Sequence, residues 1–314
     1  MQTVKAAKKV PQAKVQKNIA PAPVVVAASA QDQSIEKSLI DGNIAISEWF
    51  DGVAEGIDVF LVGGKKISQR KNETHVVLGN TTSYDESSGS VHNSNSLNVN
   101  LRLPNLEDYW QLKFTSYDEA EERRNKDRFL RKQSRQQNYG ASVGIFKNWG
   151  KIRTAFQPRV TLQNPISIAH SLAFESVIDL KTYQINPKLE FFANPDKGAG
   201  VFQALNFHIP LNKIFSLTLI NEGEYQSSSY LYSVSNGFSI GQSVSPHSSL
   251  AYSWIFSSKN QPNYQLVGHS ISVSWNQLIY KNILDYQIVP YLDFEKENSY
   301  TGHSGINMNI NLNF

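Results

Sequence analysis

Apolar and polar residues alternate with a period of two through most of this chain, from Thr74 to the last residue, Phe314. The alternation is clearest in the final ten residues, where four asparagines separate apolar side chains. This period predicts β-strands with one apolar and one polar face. Asparagine is depleted in ordinary sheets, so a face made of amides requires partners or water. A strand between lipid and a wet lumen meets both needs, which favours a transmembrane β-barrel over the edge strand of a β-sandwich.

The alternating region divides into about fourteen strands, or twelve if a pair such as 151–163 and 166–178 is wrongly divided. Its connections alternate between short turns and longer polar loops, of which Asp118–Asn138 is the longest. Outer-membrane barrels have short periplasmic turns and longer extracellular loops. The sequence therefore predicts an all-β fold, a transmembrane antiparallel up-and-down β-barrel over 74–314, with both chain ends on the periplasmic side.

The two faces of the strands differ in size as well as in polarity. Large apolar and aromatic residues collect on one parity, and serine, glycine, asparagine and charged residues collect on the other. A β-sandwich would bury bulky side chains between its sheets and expose its charges, whereas an apolar wall around a polar interior fits a barrel in lipid. Three prolines on the apolar parity count against strands, because each removes a ladder hydrogen bond. They are Pro158, Pro187 and Pro290.

Two different segments precede the barrel. Residues 1–33 form a basic, flexible periplasmic tail, in which Ala28–Ala30 has the small residues that end a signal peptide. Residues 34–64 carry apolar side chains at three- and four-residue spacing, which predicts an amphipathic helix with a break near Asp41 and Gly42. Acidic residues occupy much of its other face. We expect this helix to plug the lumen or to lie against the periplasmic rim.

Composition narrows the possible functions. A net charge of +3 with 18% charged residues is too balanced to indicate a nucleic-acid partner. The mean hydropathy of −0.38 is compatible with barrel strands in which every second residue faces water. The chain has no cysteine and therefore no disulfide or thiolate metal site. Neither metal-ligand spacing nor a phosphate-binding glycine loop is present, so we expect no metal and no cofactor.

Two local motifs indicate a family. The run Leu101–Leu106 and the segment Glu48–Asp51 resemble a turn and a helical segment of uncharacterised proteobacterial outer-membrane barrels. The resemblance covers 45–115 and the C-terminal strand, and it implies no catalytic residues and no established substrate. Alternation that ends on an aromatic residue also resembles the assembly signal of bacterial outer-membrane proteins, which implies the barrel-assembly machinery as a partner. The residues of this signal are Ile310, Leu312 and Phe314.

One stretch has the spacing of a catalytic pair. An outer-membrane lipid hydrolase needs a histidine and a serine two residues apart that face the lipid, and His92 and Ser94 have this spacing. However, Leu97, Val99 and Leu101 fix the lipid-facing parity, and His92 and Ser94 fall on the other one. We therefore expect no enzyme activity.

Charged residues on the lumen parity are the best functional candidates. Basic residues come from early strands and acidic residues mostly from later ones, which in a closed barrel would create a transverse field that selects polar solutes. The predicted pore-lining residues are Arg102, Lys113, Arg153, Arg159, Glu190, Glu222, Glu224, Asp285 and Asp293. The alternative is a filled barrel whose charges pair with one another and with an acidic plug. The predicted plug or docking residues are Glu48, Trp49, Phe50, Asp51 and Glu55, with the acids directed at Arg102, Arg153 or Arg159.

The sequence thus predicts a porin-like channel in the outer membrane of a Gram-negative cell, passing small polar solutes. The alternative function is a structural barrel that docks a periplasmic protein partner through residues 1–64. Outer-membrane lipid and lipopolysaccharide are the expected surroundings, and no nucleic-acid partner is expected. The candidates for contact with lipopolysaccharide phosphates are Arg123, Arg124, Arg128, Arg131, Lys132 and Arg135.

Overall fold

The computed structural model describes residues 30–61, 74–103, 110–116, 124, 139–162, 165–280 and 283–314. Helix α1 (Ala30–Leu61) precedes a sheet whose strands follow in chain order. They are β1 (His75–Asp85), β2 (Ser90–Arg102), β3 (Trp110–Thr115), β4 (Gly140–Trp149), β5 (Ile152–Thr161), β6 (Ser167–Ser176), β7 (Ile178–Leu180), β8 (Tyr183–Asn194), β9 (Gly198–Pro210), β10 (Phe215–Gln226), β11 (Leu231–Ser245), β12 (Ser248–Lys259), β13 (Gln265–Ile279), β14 (Leu284–Glu295) and β15 (Gly302–Asn313). A short 3₁₀ turn, Lys296–Asn298, connects the last two strands.

The strands close into a barrel. Successive strands pair antiparallel, and β1 pairs with β15, as in the register partners Leu78 and Leu312. β6 and β7 pair with the same strand, β8, on either side of Val177, so together they form one strand of the wall. The fifteen strand segments therefore make a closed antiparallel barrel of fourteen strands, as the alternation predicts. Closure gives every strand from β1 to β15 a neighbour in the wall, so the described sheet has no free outermost strand. Pairing of β2 with β3 is limited to Asn98–Arg102.

The pairing sorts side chains between an inner and an outer face. On the inner face, the hydroxyl of Thr81 donates to Oδ1 of Asn309 at 2.8 Å, and both residues are buried. On the outer face of the same two strands, Leu78 and Met308 remain 45% and 40% exposed. Buried amides and exposed apolar side chains are the reverse of a soluble domain. This reversal is the pattern of a barrel that has lipid outside and water inside.

The three strand prolines lie on the outer face beside lapses in the ladder. Pairing lapses between β4 and β5 beside Pro158, between β13 and β14 beside Pro290, and between β8 and the β6–β7 strand beside Pro187. Proline has no N–H to donate, so it interrupts pairing with one neighbour. On its other side each proline keeps a register partner: His170, Ile306 and Leu205, respectively.

The connections at the two ends of the barrel differ less than the sequence predicts, because residues 86–89 and 195–197 make short turns on the side opposite the chain ends. On the side of the chain ends, residues 150–151, 181–182 and 246–247 suffice to join neighbouring strands. Gly150 has a φ of +64° in the first of these turns, a conformation that favours glycine. The longest connection, between β3 and β4, is on the opposite side, and of the loop 118–138 only Arg124 belongs to the described residues.

Helix α1 is continuous. It begins at Ala30 and runs through Asp41 and Gly42, so the break predicted there is wrong. Glycine inside a helix costs only about 1 kcal/mol relative to alanine, and a long helix absorbs that cost. Within the described residues, no helix has the length and apolar character needed to span a membrane.

Contacts place α1 against the outside of the wall. Its buried Ala54 packs in a cluster with Val76, Val99 and Leu101, which are on the same face of β1 and β2 as the exposed Leu78. Phe50 and Ile57 of the helix, and Leu112 and Phe314 of neighbouring strands, pack around this cluster. The helix therefore lies at the rim near the chain ends, and its apolar contacts are with the outer face of the barrel.

Candidate functional site in the barrel lumen

The inner wall formed by β8, β9 and β10 concentrates charged side chains. Glu190 of β8 is 2% exposed and has Phe202 of β9 as its register partner. Glu222 and Glu224 of β10 are also buried and share the inward parity. Because side chains of a strand alternate between faces, the sequence directs three carboxylates of neighbouring strands into the lumen.

Arg124, from the long connection between β3 and β4, lies inside the lumen beside this wall. Its Nη2 and Nε donate to Oε1 of Glu190 at 2.9 and 3.1 Å, and its guanidinium lies 4.1 Å from the ring centre of Phe192. The Arg124 side chain is 6% exposed. Sequence analysis named Arg124 as a candidate for contact with lipopolysaccharide, but in the structure its guanidinium binds Glu190. A buried carboxylate needs such a partner, since an unpaired charge away from water is costly.

Further ion pairs continue along the same wall. Nζ of Lys188 lies 2.8 Å from the second oxygen of Glu190. Nζ of Lys197 donates to Glu224 at 3.3 Å. The amide of Asn206 donates to Glu222 at 2.8 Å. Basic and acidic groups thus alternate on one wall, and the charges are neutralised locally.

Two cavities lie along this wall and have lining residues in common. The cavity nearer the chain ends has a volume of about 680 Å³ and the other about 310 Å³. The charged residues lining the first are Lys151, Arg153, Glu175, Asp179, Lys188 and Glu222. Those lining the second are Arg124, Lys197, Glu222, Glu224 and Lys259. Phe202 and Glu222 line both cavities, so they lie between the two.

The remaining predicted lumen residues are distributed around the barrel. Arg153 pairs with Glu175 at 2.8 Å near the end of the barrel that holds the chain ends, and both side chains are partly exposed. Arg159 is buried and donates to the hydroxyl and, at 3.5 Å, to the carbonyl of Thr115. Lys113 lies on β3 opposite Asn100.

On the far wall the predicted acids bind neighbouring strands. Asp285 accepts from the amides of Asn311 and Asn313 at 2.7 and 2.9 Å, and Asp293 accepts from the hydroxyl of Ser270 at 2.7 Å. Arg102 belongs to β2, but its side chain falls outside the part of the chain that the structure describes. The predicted set therefore does not form one site. Glu190, Glu222 and Glu224 come together, with Arg153 at the entrance of the larger cavity.

Sequence analysis missed Arg124, Phe192 and Phe202 as lumen residues. The two phenylalanines had a usable signal, because both are bulky aromatic residues on the otherwise small and polar parity. Arg124 had none, since its place in the lumen depends on how a long loop folds.

The predicted helix residues divide between two surroundings. Phe50 packs on the outer-face cluster, and Asp51 accepts a hydrogen bond from the backbone N–H of Thr74 at 3.1 Å, just before β1. Glu48, Trp49 and Glu55 are exposed. Asp51 therefore does not meet Arg153 or Arg159, because the helix packs its apolar side on the outer wall. Its predicted approach to Arg102 stays a prediction, since the Arg102 side chain lies outside the described residues.

In the C-terminal strand, Leu312 has Leu78 as its outward register partner, Ile310 lies opposite Asn80, and Phe314 packs beside Val76. His92 is hydrogen-bonded at 2.9 Å to Ser90, two residues before it at the start of β2. Its register partner is the buried Ser83, in agreement with the inward parity predicted for His92.

A closed barrel of fourteen strands with an apolar exterior and a charged interior belongs to the class of transmembrane β-barrels. No protein-family model and no curated protein matches the chain. Its fold is similar to solved outer-membrane proteins. OmpT, an outer membrane protein of Vibrio cholerae, is 5% identical, with 79% of this chain and 99% of that chain covered and a TM-score of 0.48.

Two further structures have the same kind of similarity. The outer membrane channel DcaP of Acinetobacter baumannii is 7% identical, with 80% of this chain and 99% of that chain covered and a TM-score of 0.47. KdgM porin in complex with oligogalacturonate is 7% identical, with coverages of 76% and 99% and a TM-score of 0.38. At these identities the similarity concerns the fold alone.

Proposed function

We propose that this protein is an outer-membrane channel that passes small polar solutes along the inner wall of β8, β9 and β10. The observation that carries this proposal is the pair of cavities that have Phe202 and Glu222 in common. They follow one charged wall inside a closed barrel, which is the arrangement that a solute path needs. The proposed narrow point is therefore formed by these two residues.

The charge pattern favours neutral or dipolar solutes over simple ions of one sign. Each cavity is lined by both basic and acidic residues, so the field on a single ion largely cancels. A solute with several donors and acceptors finds partners of both kinds along the wall, which is how pores select by hydrogen bonding. The class of solute proposed is small, polar and uncharged or zwitterionic.

The exterior supports a location in the outer membrane. On the outer face of β12 to β14, an aromatic group surrounds His269, which stacks on Phe294 at 4.5 Å between ring centres. Trp254 and Phe256 lie within about 6 Å of the same imidazole. Aromatic residues are enriched at membrane interfaces, where one end of the ring is wet. In the orientation we propose, the chain ends and short turns are periplasmic, and the barrel-assembly machinery recognises the C-terminal strand.

Conductance of the purified full-length protein in a planar bilayer tests the proposal. We expect discrete current steps, and the variant Phe202→Ala should raise the step size because it removes bulk at the narrow point. Phe191→Ala is the matched control, since Phe191 directly follows Glu190 in β8 but is exposed on the outer face. A folded protein without current steps would favour the alternative, a structural or partner-docking barrel.

A further inference from the structure

We infer that α1 is a membrane-surface helix, which lies outside the barrel and inserts an apolar stripe into the lipid leaflet nearest the chain ends. The inference rests on the proposed location of the barrel in a membrane and goes beyond the proposed channel. It assigns the helix neither to the lumen nor to a protein partner.

The path of α1 across the strands comes from three contacts. The amide of Asn43 donates to the backbone carbonyl of Asn313, at the end of β15. Asp51 accepts from the N–H of Thr74, at the start of β1. Ala54 packs with Val99 and Leu101 of β2. Because successive helix residues meet successive strands, the helix axis runs across the wall and not along it.

These contacts also fix the height of the helix on the wall. Val76, Val99 and Leu101 lie at the ends of β1 and β2 that are on the side of the chain ends. The next outward residues along the same strands, Leu78 and Leu97, are exposed and apolar. The helix therefore lies next to the lipid-facing band, which is the belt of exposed apolar residues on the outer wall that includes Leu78 and Leu97. It lies at the edge of this band that is nearer the chain ends.

The helix has a second apolar stripe, which the barrel does not cover. At 3.6 residues per turn, this stripe lies about a quarter-turn around the axis from the face that contacts the wall. Its members recur mostly every seven residues, and Trp49 and Phe60 are 63% and 80% exposed. They are Leu39, Ile46, Trp49, Val53 and Phe60.

The hydrogen bond of Asp51 gives the direction of this stripe. Asp51 points past the end of β1 to Thr74, and Val53 and Phe60 lie on nearly the opposite side of the helix. The stripe therefore points along the wall toward Leu78 and Leu97. The exposed acids Asp41, Glu48 and Glu55, also seven residues apart, point away from that band, with Ile44 as the one exposed apolar residue beside them.

Lipid is the occupant that this geometry fits. The stripe points toward the exposed apolar residues Leu78 and Leu97 of the outer wall, and the acidic side points away from them. A helix that lies in the interface has this division, with its apolar face at the boundary between headgroups and acyl chains. A second copy of α1 is a poorer occupant. To cover the stripe it would have to lie over the exposed apolar residues Leu78 and Leu97 of the outer wall.

Spin labels test the inference, because the chain has no cysteine and single cysteines can be placed freely. Val53→Cys marks the apolar stripe, Glu55→Cys marks the acidic side, and Leu78→Cys marks the outer wall as a reference. The full-length variants are reconstituted in vesicles of phosphatidylethanolamine and phosphatidylglycerol. Heat-dependent migration on a gel checks that each barrel is folded.

We expect the label at Val53 to collide at least severalfold more with oxygen, and less with a water-soluble nickel complex, than the label at Glu55. Leu78 should behave like Val53. If Leu78 is lipid-exposed but Val53 is as accessible to nickel as Glu55, the inference is overturned and the channel proposal stands. Spin–spin broadening at Val53 also overturns it, in favour of a second copy. A water-exposed label at Leu78 overturns the membrane location on which both proposals depend.

Discussion

The guanidinium of Arg124 lies 2.9 Å from the carboxylate of Glu190, although the two residues are 66 positions apart in the chain. One belongs to the connection between β3 and β4 and the other to β8, and they meet on the inner wall of the barrel. Both side chains are almost fully shielded from solvent. The contact ties the long connection to the wall that carries the proposed solute path.

Replacing Arg124 with methionine should destabilise the barrel. The change leaves Glu190 buried with only Lys188 beside it, and hydrogen bonds to charged groups contribute about 1.5–3 kcal/mol. Urea unfolding of the refolded protein in detergent, followed by tryptophan fluorescence, measures the free energy of unfolding. Arg153→Met is the matched control, because its pair with Glu175 is 49% and 36% exposed and should contribute less than about 1 kcal/mol. If both variants lose the same free energy of unfolding, the buried Arg124 pair stabilises the barrel no more than the exposed Arg153 pair does.

Glu222→Gln should change the ion preference of the channel. Glu222 lines both cavities, so removing its charge should lower the ratio of cation to anion permeability. Reversal potentials in a salt gradient across a planar bilayer measure this ratio, and the change should be larger at low salt, where screening is weaker.

Glu86→Gln is the control for charge, since Glu86 lies in the turn between β1 and β2, outside the lumen. In the intact protein, the hydrogen bond from the hydroxyl of Ser304 holds the pKa of Glu86 below its usual value, so this control also removes a full negative charge at neutral pH. A shift of the same size in both variants would mean that Glu222 does not lie on the ion path.

The C-terminal strand should be required for assembly. Deletion of Phe314 removes an aromatic residue from the outer-face cluster beside Val76, and Ile310→Asp places a charge on the lipid face, which destabilises a barrel in a membrane. Both changes should lower the yield of heat-modifiable barrel in the outer membrane. Ile310→Leu keeps the apolar face and should assemble normally. Normal yields for the deletion and for Ile310→Asp together would rule out this role.

Gly305→Ala should weaken the contact between three neighbouring strands. The ring of Tyr291 lies over Gly305, where an added Cβ would be 2.3 Å from the ring, and its hydroxyl donates to Asp85 at 3.3 Å. Overpacking of this kind costs about 1–3 kcal/mol.

Removing the Tyr291 ring should relieve that clash. The double variant Gly305→Ala/Tyr291→Ala should therefore lose less free energy of unfolding than the two single variants lose together. Urea unfolding measures all three variants. Gly42→Ala is a control without a clash, since nothing lies within 4 Å of that position, and it should raise stability by about 0.5–1 kcal/mol. Additive losses for Gly305 and Tyr291 would show that the two do not contact each other in solution.

Alternation alone predicted the strands and the sorting of their faces, because a period of two is a local property of each strand. It left the strand count at fourteen or twelve, and the pairing of β1 with β15 in the structure decides for a closed barrel of fourteen. Alternation also located the three strand prolines on the outer face. The lapse in pairing beside Pro158, Pro187 and Pro290 required the neighbouring strand to be known, and only the structure supplies that neighbour.

Tertiary structure alone decided where α1 lies and which charges meet. The apolar spacing of α1 is the same whether the helix fills a lumen or lies on an outer wall, so the pattern around Phe50 and Ala54 predicts a buried face without naming its partner. Arg124 likewise has no local feature that distinguishes a lumen residue from a surface one. Contacts such as Arg124 with Glu190 form between distant segments, and their geometry follows from closure of the whole barrel, which no short stretch of sequence encodes.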